Sequence, residues 1–199
     1  MTKLICILAP IIAAVPMLGA SLTQAERDRA IAELTASRQQ FLDSVTGLTA
    51  AQWNFKPDEK TWSVFQCAEH IALSEDLIFG SVTKIVQGPA APDTKDAVTD
   101  EFILKAVVNR TQKFQAPEAL QPKHTFATPE ELIAHFKAAR ERTIAYVRDT
   151  QDDLRGHFFD HPVLKTMDGY QWILLLSAHS QRHTAQLLEV KANPNFPKE

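Results

Sequence analysis

The stretch DGYQWILLLSAHSQRHTAQLLEVKA, residues 168–192, decides the fold. It opens on Asp168-Gly169-Tyr170-Gln171, a helix start signal, and Pro194 stands just beyond its end. Between them Trp172, Leu176, His179, His183, Leu187 and Val190 recur at steps of four, three, four, four and three, the period of a single helical face. The apolar members require this face to turn inward, so two imidazoles one turn apart are aimed into a core. Their rise of about 6 Å over four residues lets both rings reach one ion. Charged rings are costly to bury, and neutral rings still need partners for both nitrogens. A divalent metal answers both demands by accepting one lone pair from each ring. Catalytic zinc-like sites use about three protein ligands and keep one position open. The spacing alone also fits a pair of hydrogen-bonded core histidines.

Working outward, three more long helical patterns can be read. The first starts at the capping box Thr23-Gln24-Ala25-Glu26 and carries Ile31, Leu34, Phe41, Val45 and Leu48, with Gly47 as its stop. The second starts at Ser63-Val64-Phe65-Gln66 and runs through His70, Leu73, Leu77 and Ile85 to Gly88-Pro89. The third opens at Thr128-Pro129-Glu130-Glu131, which combines a cap, a first-turn proline and an N3 glutamate. Its inner face is Leu132, Phe136, Ala139, Thr143 and Val147. A linker from Gln87 to Asp100, a short helix over Glu101–Arg110 and an ordered loop over Gln115–Ala127 with Pro117 and Pro122 separate the second and third patterns. A loop over Asp149–Met167 follows, and no strand is read. These elements predict an all-α four-helix bundle with a long crossover between the second and third long helices.

A third ligand must come from another helix. His70 is the candidate, because it alone among the remaining histidines lies inside a strong apolar helix pattern. Cys67, a turn earlier, reads as a thiolate or as a small buried hydrophobe. His157 and His161 are also four apart, but Pro162 argues against a helical pair, which leaves His161 structural or lining the site. His124 and His135 read as surface or loop residues, and Trp53 and Trp62 as core plugs. The zincin H-E-x-x-H pattern is absent: no histidine precedes Glu69, and Ser74 holds the later position. No Gly-rich phosphate loop and no G-x-S-x-G elbow is found.

The chain has 199 residues, 45% hydrophobic and 23% charged, with net charge -3. This suits one globular domain and gives no pull toward nucleic acid. Residues 1–20 carry Lys3 and an apolar run from Leu4, the length of a signal-peptide core, followed by small residues at Gly19-Ala20-Ser21. The expectation is an exported protein, periplasmic or secreted, with a domain over residues 21–199 and no stable membrane association once the segment is removed. The alternative is an N-terminal membrane anchor. With Cys6 inside that segment, Cys67 is left without an internal disulfide partner.

Three blocks of sequence resemble the DinB-like family, the DinB/YfiT group of metal-dependent enzymes. They are Trp53-Asn54-Phe55-Lys56-Pro57 leading to Lys60-Thr61-Trp62-Ser63-Val64 and Glu69–Glu75; Pro117–Lys123 with Thr128–Glu131; and His161-Pro162-Val163, Tyr170-Gln171-Trp172 and His179–Gln186. The match spans about residues 25–197. The resemblance implies an up-down-down-up four-helix bundle, often a homodimer. It also implies a metal, zinc or nickel above all, held by one histidine of the second long helix and a pair on the fourth. Those positions are His70, His179 and His183. The sequence departs from the family at Leu164-Lys165, where members carry an aromatic residue and glycine. The resemblance further implies a hydrolase, or a transferase using small thiols, acting on a small molecule. In that case Glu69 or Glu75 would orient a ligand, the alternative being that either is a surface residue. The alternative is a non-enzymatic, stress-related protein that binds a metal or small ligand.

Overall fold

In the computed structural model, which describes residues 21–90 and 98–198, six α-helices follow one another with a hairpin before the last. They are α1 (Gln24–Val45), α2 (Ala50–Asn54), α3 (Val64–Ile85), α4 (Asp100–Val108), α5 (Pro129–Asp149) and α6 (Gly169–Lys191). The segment read as a signal, residues 1–20, lies outside the described residues. No described helix is long and apolar enough to cross a membrane.

The long helices begin where their caps dictate. Thr23, Ser63 and Asp168 each accept from the N3 amide, while the N3 side chains of Glu26, Gln66 and Gln171 reach back to the cap N–H. Thr128 caps α5, with Pro129 in its first turn.

Directions follow from side-chain contacts. Tyr170 Oη donates to the Glu26 carbonyl near both starts, and Lys191 Nζ to the Ser44 carbonyl near both ends, so α1 and α6 are parallel. Arg27, at the start of α1, donates to the carbonyls of Val147 and Arg148 at the end of α5, so those two are antiparallel. Helix α3 runs against α6, with His70 opposite His179 and Glu75 opposite Ser180. It therefore runs parallel to α5, and the order is up-down-down-up. Parallel neighbours cannot be joined by a short loop, so a long crossover connects α3 to α5. The crossover carries α4, laid across α6, and a 3-10 turn at Glu118–Leu120.

Apolar residues fill both halves of the bundle. Leu34, Val82, Ile103, Val147 and Ile173 anchor one half, and Phe41, Phe65, Ile71, Phe136 and Leu187 the other.

One expectation is corrected. Part of the segment read as a loop, from Phe158 to Met167, together with Asp168, forms an antiparallel hairpin of β1 (Phe158–His161) and β2 (Lys165–Asp168). Strands of four residues without clean polar and apolar alternation carry no sequence signal. Arg155 fastens the hairpin to the bundle by pairing with Glu26, Asp100 and Asp168 and lying 4.0 Å over the Tyr170 ring. At the tip, His161 Nδ1 accepts from the amides of Val163 and Leu164 at 3.1 Å each.

Lys165 follows this tip with φ of 64°, a left-handed conformation that costs an L-residue roughly 1–2 kcal/mol. A glycine here is free of that cost but loses more entropy on folding, by about 0.5–1 kcal/mol. Lys165→Gly is therefore expected to stabilise the domain by ~0.5–1 kcal/mol, read as a higher denaturant midpoint at unchanged slope. A lower midpoint would show that the lysine side chain compensates its backbone.

Candidate metal centre

His70 sits in the middle of α3, 2% exposed, between Glu69 and Ile71, which are fully buried. His179 and His183 lie one turn apart on the inner face of α6 and remain partly open to solvent. The three residues read from the sequence come together. Each offers one ring nitrogen, and these nitrogens all lie within 4.8 Å of one another. His70 Nε2 is 3.2 Å from His179 Nε2. Ring centroids are 4.3 Å apart for His70 and His183 and 4.4 Å for His179 and His183. Three nitrogens about 2.1 Å from one tetrahedral ion stand about 3.4 Å apart, so the cluster is close to the size an ion requires.

The outward nitrogens are occupied. His70 Nδ1 donates to the Leu120 carbonyl at 2.7 Å, and because a carbonyl only accepts, Nε2 is left with its lone pair facing the cluster. His183 Nδ1 lies 2.9 Å from Gln186 Oε1. Burial pushes all three rings toward the neutral form. For His70 this outweighs the Leu120 bond, which acts the other way. His179 falls well below the ordinary histidine value through burial and the positive potential of His183 and His70. His183 is brought down to about 3, by burial first and then by His70, against the Gln186 bond. At neutral pH the site therefore presents unprotonated imidazoles, the form that binds a metal. The donor set fits a divalent transition ion, and His179 and His183 are only partly buried.

Trp62, expected in the core, packs partly buried against it and also walls the site. Its ring centroid is 5.0 Å from His70 and 6.4 Å from His183. Trp53 is the core plug expected, 5% exposed and edge-on to Phe65. His161 packs on Trp172 with centroids 5.4 Å apart and stays outside the three-histidine group. His135 pairs with Asp76 on the surface, and His124 is exposed. Cys67 is fully buried outside the group, its thiol pushed up to about 12 by burial, which makes it a small hydrophobe rather than a thiolate.

The assignment of Glu69 or Glu75 as a ligand-orienting carboxylate is corrected. Glu69 accepts from the backbone amides of Lys123, His124 and Thr125, at 3.2, 3.3 and 2.6 Å. Glu75 pairs with Arg140 and accepts from Ser180. Neither carboxylate touches an imidazole. Buried carboxylates take the donors nearest to them, and here those are a loop and an arginine. The groups that do hold the rings, the Leu120 carbonyl and Gln186, went unread. A backbone carbonyl fifty positions away leaves no signature, whereas Gln186, three residues after His183, was legible as an i, i+3 neighbour.

A four-helix bundle with two inward histidines on its last helix and one on the facing helix defines a class of helical proteins with a candidate metal site. Within it, this chain belongs to the DinB superfamily, whose family profile matches residues 33–187 and so takes in all three histidines. It is 24% identical over 158 residues to the uncharacterized protein YuaE of Bacillus subtilis (strain 168), a match covering 78% of this chain and 93% of the relative. Its fold is similar to that of YfiT from Bacillus subtilis, described as a probable metal-dependent hydrolase with an unusual four-helix bundle topology. The TM-score is 0.55 at 19% identity, covering 86% of this chain and 89% of that one.

Proposed function

We propose that the chain is an exported metal-dependent enzyme, a hydrolase or a thiol transferase acting on a small molecule, with a zinc or nickel ion on His70, His179 and His183. One observation carries the reading. Three ring nitrogens from two helices converge within 4.8 Å of one another, and two of the three histidines are only partly buried. Export rests on the lysine and apolar run of residues 1–20.

The protein's own contribution is orientation and shape. Helix α3 supplies one ring, locked through Leu120, and α6 supplies two at one-turn spacing. Trp62 screens one flank of the histidines from water. A divalent ion held there supplies Lewis acidity and lowers the pKa of a water or thiol that reaches it. Among the described residues the grouped ligands are three histidines with no carboxylate or thiolate, so the donor set itself would not offset the charge of an ion held there.

The test is elemental analysis of the chain purified without chelator, paired with thermal unfolding. About one zinc or nickel per chain is expected. A hundredfold excess of free ion over Kd should add about 2.7 kcal/mol to the stability of the stripped protein. Ester and amide panels, and thiol transfer to an electrophile, then separate catalysis from binding alone. A stripped chain whose unfolding is indifferent to both metals refutes the proposal.

A further inference from the structure

His70 and His183 turn their outward nitrogens to acceptors of different kinds. A backbone carbonyl has only one role, so the proton of His70 is fixed on Nδ1. A glutamine amide has two faces, and a half-turn exchanges its oxygen for an NH2 group. Next to Gln186, that choice is settled by a group from the crossover. Arg110, just beyond α4, donates from Nη1 to Gln186 Oε1 at 3.4 Å. It is itself held by a fork of two bonds to Glu189, at 2.8 and 2.7 Å. The backbone around it is clamped to α6, because Arg182 donates to the carbonyls of Val107, Asn109 and Gln112.

A guanidinium has donors and no acceptor, so only the amide oxygen can face Arg110. That same oxygen meets His183 Nδ1 at 2.9 Å, and the ring must then donate from Nδ1. Its lone pair is left on Nε2. With the amide reversed, an NH2 group would face both the guanidinium and Nδ1. The ring proton would move to Nε2 and occupy the position from which a metal is bound.

We propose that Arg110, seated on Glu189 and acting through Gln186, sets the tautomer of His183 and so makes the third ligand nitrogen available. Both are positioning residues. The crossover thus orients two of the three rings, one through Leu120 and one through Arg110. The effect on metal affinity rests on the three-histidine reading, whereas the tautomer itself does not.

The experiment uses the full metal-free chain, uniformly labelled with nitrogen-15. Long-range proton–nitrogen correlations report which nitrogen of His183 carries hydrogen, and competition with a chromophoric chelator reports zinc affinity. The parent is expected to show hydrogen on Nδ1. Arg110→Met should mix the tautomers and weaken zinc by about 10–100-fold, the usual cost of losing a group that orients a ligand. Gln186→Leu should weaken zinc similarly. Gln186→Glu presents acceptors on both sides and needs no arginine to orient it. It should keep hydrogen on Nδ1, alone and in combination with Arg110→Met, with zinc affinity within a few-fold of the parent. A parent ring protonated on Nε2, or an Arg110→Met chain with unchanged tautomer and affinity, overturns the proposal. Arg110-dependent tautomers in a parent that binds no zinc would uphold the lock and sink the metal reading. Tight zinc binding indifferent to Arg110 would do the reverse.

Discussion

Replacing His179 by alanine is expected to abolish stoichiometric metal binding while leaving the bundle folded. His179 Nε2 approaches His70 Nε2 at 3.2 Å, and its ring centroid is 4.4 Å from that of His183, so it borders both other members of the cluster. Structural zinc sites bind with roughly 10–16 kcal/mol, or about 2.5–4 kcal/mol for each of four ligands. At 1.4 kcal/mol per decade, losing one ligand weakens binding by roughly 10²–10³-fold, enough for the ion to be lost during purification. His179 is a cleaner target than His70, whose removal would also strand the Leu120 carbonyl at a cost of about 1–3 kcal/mol. His161→Ala is the control. That ring lies outside the group, and its Nδ1 is occupied by two amides of the hairpin tip, so metal content should not change. Metal content is read by elemental analysis, and folding by far-ultraviolet circular dichroism. A His179→Ala chain with a full complement of metal would place the ion elsewhere and dismiss the three-histidine centre.

Much of this site was legible because a helix repeats. The stripe from Trp172 to Val190 put two histidines on an inward face, and the second long helix offered one more histidine on an apolar face. The capping residues Thr23, Ser63, Thr128 and Asp168 set the starts of the four long helices, where the structure has them. What escaped depends on contacts between distant segments. The hairpin over residues 158–168 is held by Arg155, whose three carboxylate partners come from α1, the start of α4 and the cap of α6. Trp62 reads as core material until the fold sets it beside His70 and His183. Glu69 and Glu75 stand close to His70 in sequence, yet a carboxylate on a helix goes where donors are. Those donors arrive from residues 123–125 and from Arg140. Arg140 itself was hidden one position off the stripe Leu132, Phe136, Ala139, Thr143, Val147, although it is fully buried.

That arginine carries the second large effect. Arg140→Met is expected to destabilise the domain by about 3–5 kcal/mol, the cost of leaving one member of a buried ion pair behind. A typical domain has only about 5–15 kcal/mol in total. The guanidinium is 0% exposed and bonds to Glu75 through Nε at 2.8 Å and through Nη2 at 2.5 Å. Its remaining N–H groups reach the Leu34 carbonyl and Ser37 Oγ of α1 at 2.8 and 2.6 Å, and Ser180 Oγ of α6 at 2.7 Å. One side chain of α5 thus touches all three other long helices. The loss should appear as a lower urea midpoint; a shift under ~0.5 kcal/mol would show that Glu75 finds other donors. The double variant Arg140→Met, Glu75→Leu removes both charges and should recover most of the stability, since apolar pairs of similar size often replace buried ion pairs without loss. Zinc affinity in that double variant decides what the pair is for. Ser180, bonded to both Arg140 and Glu75, adjoins His179, and Glu75 lies little more than one turn from His70. If the guanidinium sets the register of α6 against α3, the stable double variant should still bind zinc more weakly than the parent. Full recovery of affinity would assign that register to the apolar core alone.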